Sequence, residues 1–337
     1  MATDAPRRQP TLDEVAERAG VSRTAASRVI NNAPHVSRAK RDAVQRAISD
    51  LGYIPSRTAQ ALATRKTNVI ALAIAGDDPA LFADPFFGRV IVGVSAALED
   101  TDLHLMLCLA SSQGGQARFT SLLRTRGVDG VMLMAVRGDD PVIHIVRQAG
   151  LPTGYGGRPL HGEPAWYVDI DNYGGARTAT DHLIRRGRRR IAAITGLADT
   201  QVSEARHRGF REALTVAGLT PYAERAGDFT ERSGADAMRA LLDARPRLDA
   251  VFAANDNMAA GALRVLRESG RAVPADVAVV GFDDLAIAAH TDPPLTTVQQ
   301  PIQELGSEMT RVLLALLAGQ SPSPLVLPTT LIERGST

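Results

Sequence analysis

The chain has 337 residues, 45% of them hydrophobic and 22% charged, enough for two or three globular domains. No apolar run reaches the length of a membrane span, and the opening MATDAPRRQP lacks the apolar stretch of a secretory signal. A single cysteine, Cys108, excludes an intramolecular disulfide, and one cysteine with seven scattered histidines gives no metal-ligand spacing. No metal and no cofactor are expected, and a reducing cytoplasm fits.

The formal net charge of +1 conceals an asymmetry. Residues 1–66 carry 12 Lys and Arg against 6 Asp and Glu, whereas the remainder carries 26 against 31. A short basic head on a mildly acidic body is the layout of a nucleic-acid-binding module joined to something else, or of a solvated basic face.

In chain order, residues 1–10 have no periodicity and read as disordered. Thr11-Leu12-Asp13-Glu14 is a capping box, followed by Val15, Ala16 and Ala19 at helical spacing and by Gly20 as a stop. Ser22 caps a second helix, 23–31, with Ala26, Val29 and Ile30 inside; Ser37 caps a third, 38–51, ended by Gly52. Pro55-Ser56 punctuates, and 57–63 is a short helical candidate. From Val69 onward, apolar runs of strand length alternate with amphipathic helices. Strands are predicted at 69–75, 103–110, 130–135, 167–170, 190–195, 250–253 and 277–281. Helices fall near 87–98, 116–126, 142–149, 174–186, 204–217, 234–242 and 259–269. Such alternation predicts two doubly wound parallel-sheet subdomains.

Two short helices around Ala19-Gly20-Val21-Ser22 form a helix-turn-helix signature. The second presents Arg23, Thr24, Ser27, Arg28 and Asn31 outward, groups that hydrogen-bond to base edges and phosphates. Arg23 and Thr24 are the base-reading candidates; Ser22, Arg28, Asn31 and Asn32 suit the backbone. The plainer alternative is a three-helix cap with a polar outer face.

The stretch TLDEVAERAGVSRTAASRVINNAPHVSRAKRDAVQRAISDLGYIPSRTAQALATRKTNVIALAI resembles the head and hinge of the lactose-repressor (LacI) family of bacterial transcription regulators. The likeness resumes at DPFFGRVIVGV, VDGVMLM, RHRGFREAL, DAVFAANDNMAAGAL, VPADVAVVGFDD, PPLTTVQQP and LPTTLIERGST, so it covers nearly the whole chain. It implies an all-α helix-turn-helix head (1–55), a hinge helix and linker (56–66), and an effector-binding and dimerisation body (67–337). The body would resemble periplasmic sugar-binding proteins, with one subdomain of about 67–166 and 300–325 and another of about 167–299 and 326–337. The resemblance also implies a bacterial cytoplasmic protein on the nucleoid, with operator DNA, a small-molecule effector and a second copy of itself as partners. No leucine heptads follow LPTTLIERGST, so a homodimer on a near-palindrome with a C·G-rich centre is expected. The DNA-contacting set it implies is Thr11, Ser22, Arg23, Thr24, Ser27, Arg28, Asn31, Ser37, Tyr53, Arg57, Ala61 and Leu62, with Leu62 wedged into a central base step. One departure is Ala26, where many relatives have a β-branched residue.

For the effector, the resemblance points to Phe86, Phe87, Asp171, Arg206, Phe229, Asn255, Asp283 and Gln300, all in or just after predicted strand ends or helix starts. One of Phe86 and Phe87 is expected in the core and the other facing ligand. Asp256 is expected to cap the following helix and Asn255 to touch ligand. Asp283 and Asp284 either cap or bind, with Asp283 preferred; Arg158 and Tyr173 are weaker candidates. An aromatic platform ringed by Arg, Asp and Asn suits a neutral polyhydroxylated effector that releases the operator. Purine-binding relatives carry a second Arg where this chain has Thr200. An enzyme is disfavoured, since neither G-x-G-x-x-G after a strand nor a P-loop is present. A transport binding protein would not carry the basic head.

Overall fold

The computed structural model describes residues 10–31, 33–55, 66–75, 85–162 and 164–337. In the head, α1 (Leu12–Arg18) starts with the expected capping box. Thr11 Oγ1 accepts the Glu14 N–H, and Glu14 Oε2 accepts the Thr11 N–H at 2.7 Å. Gly20, at φ 64°, makes a turn that an L side chain would strain. Ser22 then caps α2 (Arg23–Ile30) through the Ala25 N–H at 3.2 Å. Ser37 stands at the N-cap of α3 (Arg38–Leu51) without a side-chain capping bond. Val15, Ala16, Ala26, Val29, Val44 and Ala47 close a small core, with Tyr53 packed against it. Ala26 therefore points inward, and its departure from the family pattern does not alter the outer face of α2. Of the expected disordered arm, 1–10, residues 1–9 lie outside the described residues, as do the candidate Asn32 and the hinge candidates Ser56, Arg57, Ala61 and Leu62.

In the body, the first sheet contains β1 (Val69–Ile74), β2 (His104–Leu109), β3 (Gly130–Met134), β4 (Thr153–Gly156) and β5 (Tyr167–Ile170). The second contains β6 (Ile191–Thr195), β7 (Ala223–Ala226), β8 (Ala250–Ala253), β9 (Ala278–Asp283) and β10 (Thr296–Gln299). The late strands β11 (Leu325–Leu327) and β12 (Thr330–Ile332) divide between them. The orders are β11-β5-β4-β3-β1-β2 and β12-β10-β9-β8-β6-β7. The chain thus passes between the sheets three times, after β5, after β10 and after β11. In the first sheet β1, β3, β4, β5 and β11 pair in parallel; in the second all pairing is parallel except for β12, which runs antiparallel to β10.

Crossover helices cover the sheets. Around the first are α4 (Pro85–Leu98), α5 (Gln113–Arg124) and α6 (Pro141–Ala149). Around the second are α7 (Asn172–Arg185), α8 (Gln201–Val216), α9 (Glu231–Ala244), α10 (Asp256–Glu268) and the short α11 (Ala286–His290); α12 (Ile302–Leu317) returns to the first. Strands β1, β3 and β8 are buried along nearly their whole length, which is why they read as unbroken apolar runs.

Two expectations change. Tyr167–Ile170 pairs with β4 and β11, so it belongs to the first sheet and the subdomain boundary falls after Ile170, not before Tyr167. By the same pairing, Leu325–Leu327 stays in the first sheet and does not break at 325/326. The elements β4, β7, β11, β12, α11 and α12 were not anticipated. TGYG is glycine-rich and AERA is a half-exposed edge, so neither shows an apolar strand run.

Helix α12 lies against α4 at a glycine-mediated crossing. A Cβ on Gly93 would stand 1.9 Å from the Gln303 carbonyl oxygen, and one on Gly306 would stand 2.2 Å from that of Val90. The obstacle is backbone on both sides, so neither helix can yield without moving whole. Gly306→Val is expected to cost at least about 1–3 kcal/mol by overpacking. Gly88→Ala, in open space on the same α4, should be neutral or stabilise by about 0.5–1 kcal/mol. Urea denaturation of the two variants checks this; equal midpoints would refute the crossing.

Candidate functional site

The outer face of α2 carries the head's candidates. Arg23, Thr24 and Arg28 are exposed, and Ser27 and Asn31 are half-buried. Arg23 Nε lies 3.5 Å from Asp13 in an ion pair that is mostly solvated and so easily exchanged for another partner. Arg28 donates to the Pro34 carbonyl at 3.1 Å, and Asn31 Nδ2 to Ser27 Oγ at 3.4 Å. The buried Asn31 Oδ1 has no hydrogen-bond partner among the described residues. Thr11 and Ser22 are engaged as caps.

Three of the body's candidates, Arg206, Asp283 and Gln300, meet at the carboxyl ends of the second sheet's strands, beside Asn172 at the start of α7. Arg206, on α8, is 4% exposed. Its Nε donates to Asn172 Oδ1 at 2.9 Å; its Nη1 donates to the Ala254 carbonyl and lies 3.1 Å from Asp283 Oδ1. The guanidinium carbon stands 3.8 Å above the Phe282 ring centroid, a cation–π contact. Burial lowers the Arg206 pKa, and Asp283, Asp256 and Asp169 raise it in return. Gln300 Nε2 also donates to Asp283 Oδ1.

Two backbone outliers are held here. Asp283 and Asp284 have φ of 109° and 52°. Arg206 and Gln300 fix the first side chain. Arg334 (2.6 Å) and Gln299 (2.8 Å) fix the second. Strained residues persist only where such partners over-determine them. Phe229, at φ 71°, is set by a turn in which the Thr230 N–H and hydroxyl both donate to Asp228 Oδ1. Asn255 Nδ2 secures it from behind through the Phe229 carbonyl at 2.9 Å. The Phe229 ring lies directly over Gly196, where a Cβ would stand 2.2 Å from Cζ.

The capping expectation for residues 255 and 256 is reversed. Asn255 is the N-cap of α10, accepting the Met258 N–H at 2.9 Å. Asp256 is fully buried and accepts from Thr297 Oγ1 (2.5 Å) and the Leu285 N–H (2.8 Å), partners from distant segments. Asp171 caps α7 through the Gly174 N–H. Phe86 packs on the first core with Phe87 edge-on to it at 5.3 Å. Tyr173 turns to Arg208, 5.1 Å away, and to Glu212, whose hydrogen bond raises its pKa. Arg158 pairs with buried Asp169 at 2.8 Å. Not anticipated were Asn172, the Ala254 carbonyl and the Phe282 face.

Burial and the neighbouring Asp283 hold the Asp256 carboxyl well above the usual carboxylate range. A raised folded-state pKa means that the folded chain keeps a proton the unfolded chain loses from about pH 4 upward. Stability is therefore lost as pH rises from there through the folded value. Asn at 256 retains an oxygen for Leu285 and an NH2 for Thr297 without that charge. The Tm of Asp256→Asn, relative to the parent, should rise between pH 4.5 and 7.5; a constant difference would show that the carboxyl is not held protonated.

Comparison with known proteins bears on the family and the fold. Residues 11–56 match the model of bacterial regulatory proteins of the lacI family, and residues 180–337 that of the periplasmic binding protein-like domain. The HTH-type transcriptional regulator CelR of Thermobifida fusca is 48% identical over 98% of this chain and 99% of its own. The ribose operon repressor of Escherichia coli is 36% identical over 97% and 99%. Among solved structures, a CelR–cellobiose complex aligns with a TM-score of 0.78 at 46% identity, covering 98% of this chain and 100% of that one. A lac repressor dimer bound to operator and the anti-inducer ONPF aligns with 0.86 at 30%, covering 98% and 99%. With this fold, this helix-turn-helix head and these relatives, the chain belongs to the lacI family of bacterial regulatory proteins, which are DNA-binding transcriptional regulators and not enzymes.

Proposed function

We propose that the protein is a homodimeric cytoplasmic repressor that binds a pseudo-palindromic operator and releases it when a neutral disaccharide of the cellobiose class enters the cleft. The observation that carries the effector half is the Arg206–Asp283–Gln300 group beside the fixed Phe229 ring. Arg206 Nη2 makes no bond within the chain among the described residues, leaving donors for a sugar hydroxyl or ring oxygen. Asp171 and Asp283 would accept hydroxyls, Phe229 and Phe87 would stack on the apolar ring faces, and Asn255 would support Phe229 from below. The cellobiose complex of CelR, nearly half identical to this chain, favours a β-linked disaccharide over a purine.

On the DNA side, Arg23 and Thr24 read bases, while Ser22, Ser27, Arg28, Asn31 and Ser37 position the duplex. Thr11 and Tyr53 hold the helices to the backbone, and Arg57, Ala61 and Leu62 act at the minor groove. The homodimer is favoured by β2, an edge strand with Met106, Leu107 and Leu109 exposed, and by exposed Val92 on α4. Left in water, that apolar edge would be an aggregation site, and a second copy covers it.

The test is fluorescence anisotropy with the operator selected from genomic fragments, with and without cellobiose. Salt-sensitive, sequence-selective binding that cellobiose relieves is the expected result; selective binding that no mono- or disaccharide alters would sink the effector reading. Arg23→Ala should cost about 1–3 kcal/mol at one position per half-site and relax base preference there, with little change on random DNA. Asp283→Asn, which keeps an oxygen for the Arg206 and Gln300 donors, should abolish the cellobiose response while operator affinity without cellobiose stays within about twofold. A response at unchanged cellobiose concentration would show that Asp283 does not touch the effector.

A further inference from the structure

Two loops meet where the subdomains face one another. After β3, the chain turns through Ala135 (φ 57°) and Gly138 (φ 30°), presenting Arg137. After β6, residues 196–200 lead into α8 and present Asp199. Arg137 Nε donates to both carboxylate oxygens of Asp199, at 3.1 and 3.0 Å, and the Gly138 N–H donates to the Asp199 carbonyl at 2.8 Å. In the second sheet, β6 lies on the side away from β10 and β12, where two of the three crossovers run. The contact therefore spans the cleft at its free edge. Nearer the crossovers, Arg89 of α4 donates to the Asp284 carbonyl at 3.2 Å and Leu285 sits in the first subdomain's core.

The loop that Arg137 grips borders the proposed effector contacts. Gly196, at its start, lies under the Phe229 ring, and Thr200, at its end, caps α8, which carries Arg206. We infer that Arg137 and Asp199 form a clasp that sets effector affinity by biasing the cleft toward closure, as positioning residues that do not themselves touch the effector. This rests on the carbohydrate reading above.

Both side chains are partly exposed, 38% and 46%, so the pair is weak and screened by salt. Weakness suits the role: a binding-competent state that is only partly populated lowers apparent affinity by that fraction, and a weak clasp tunes the fraction without locking the cleft. A neutral sugar contributes no charge of its own. The part of its affinity's ionic-strength dependence that is lost in either single variant therefore reports the clasp.

The experiment uses the full-length protein and cellobiose as probe. Calorimetric titration at 50 and 500 mM NaCl is run beside hydrogen exchange of the unliganded chain at the Gly138 amide. Arg137→Gln and Asp199→Asn should each weaken cellobiose about three- to fivefold, with the double variant no weaker than either single. The charge-swapped pair, Arg137→Asp with Asp199→Arg, should recover most of the loss. Salt should weaken the parent and leave the single variants unaffected. Without ligand, each single variant should exchange Gly138 faster than the parent. Additive losses without rescue by the swap would overturn the clasp, because the side chains would then be touching ligand directly. Unchanged Gly138 exchange would overturn it as well. A parent that binds neither cellobiose nor any other mono- or disaccharide overturns the carbohydrate reading and, with it, the clasp's role in affinity; Gly138 exchange then decides only whether the contact itself exists.

Discussion

The body is organised around the cost of burying a guanidinium. Arg206 stays charged at any physiological pH, and burying a charge is costly unless its donors are met and a counter-charge lies nearby. Here Asn172 at the start of α7, the Ala254 carbonyl at the end of β8 and Asp283 at the end of β9 meet it, with the Phe282 ring against its face. Four elements of the second subdomain are thereby tied to one point. Removing Asp283 altogether would leave a buried cation short of its counter-charge, so Asp283 carries a structural role.

The same compensation explains where strain is stored. Positive φ at Phe229, Asp283 and Asp284 falls after strands, where the backbone must turn sharply into the cleft. Asp283 and Asp284 each have two side-chain partners, and Phe229 is held through its carbonyl by Asn255. Caps serve the same end: Asn255 both starts α10 and holds Phe229, so one side chain orders a helix and an aromatic platform together. A second concavity, about 560 Å³, lies at the opposite ends of the strands and is lined by arginines including Arg188 and Arg271. Their guanidiniums turn onto the carbonyls of Pro274, Ala275 and Pro246. Those cations serve the loops and leave the site's chemistry to the cleft.

Much of this was legible in the sequence, and the failures have physical causes. Capping boxes, helical spacing and buried strand runs are local signals, so the head and the central strands read correctly. The family resemblance pointed to Arg206, to its partner Asp283 and to Gln300, which donates to Asp283. Sheet membership is not local: Tyr167–Ile170 looks like any strand, and only its pairing with β4 and β11 assigns it to the first sheet. The Asn255–Asp256 reversal is of the same kind. Either residue suits an N-cap, but Asp256 is claimed by Thr297 and Leu285, 41 and 29 residues away. Helix α12 did have a readable stripe, Ile302, Leu305, Met309, Val312 and Leu313, all buried. That stripe follows helical i, i+3, i+4 spacing, so α12 is as legible locally as the helices before it.

The tetrapeptide Phe282-Asp283-Asp284-Leu285 shows how an effector could act on the rest of the body. Phe282 lies under the guanidinium and Asp283 engages it. Asp284 takes Arg334 and Gln299 on its side chain and Arg89 of the first subdomain on its carbonyl. Leu285 gives its N–H to Asp256 and its side chain to the first subdomain's core. Coupling needs an element whose arrangement both sites bias, not mere proximity. Here the group that would meet ligand and the side chain seated in the other subdomain are two residues apart, on a backbone whose intervening torsions are already confined. Asp283 cannot shift far without carrying Asp284 and Leu285 with it. A ligand that draws on Asp283 therefore changes how the two subdomains meet, and its differential affinity for the two arrangements is the free energy available to the DNA-binding head.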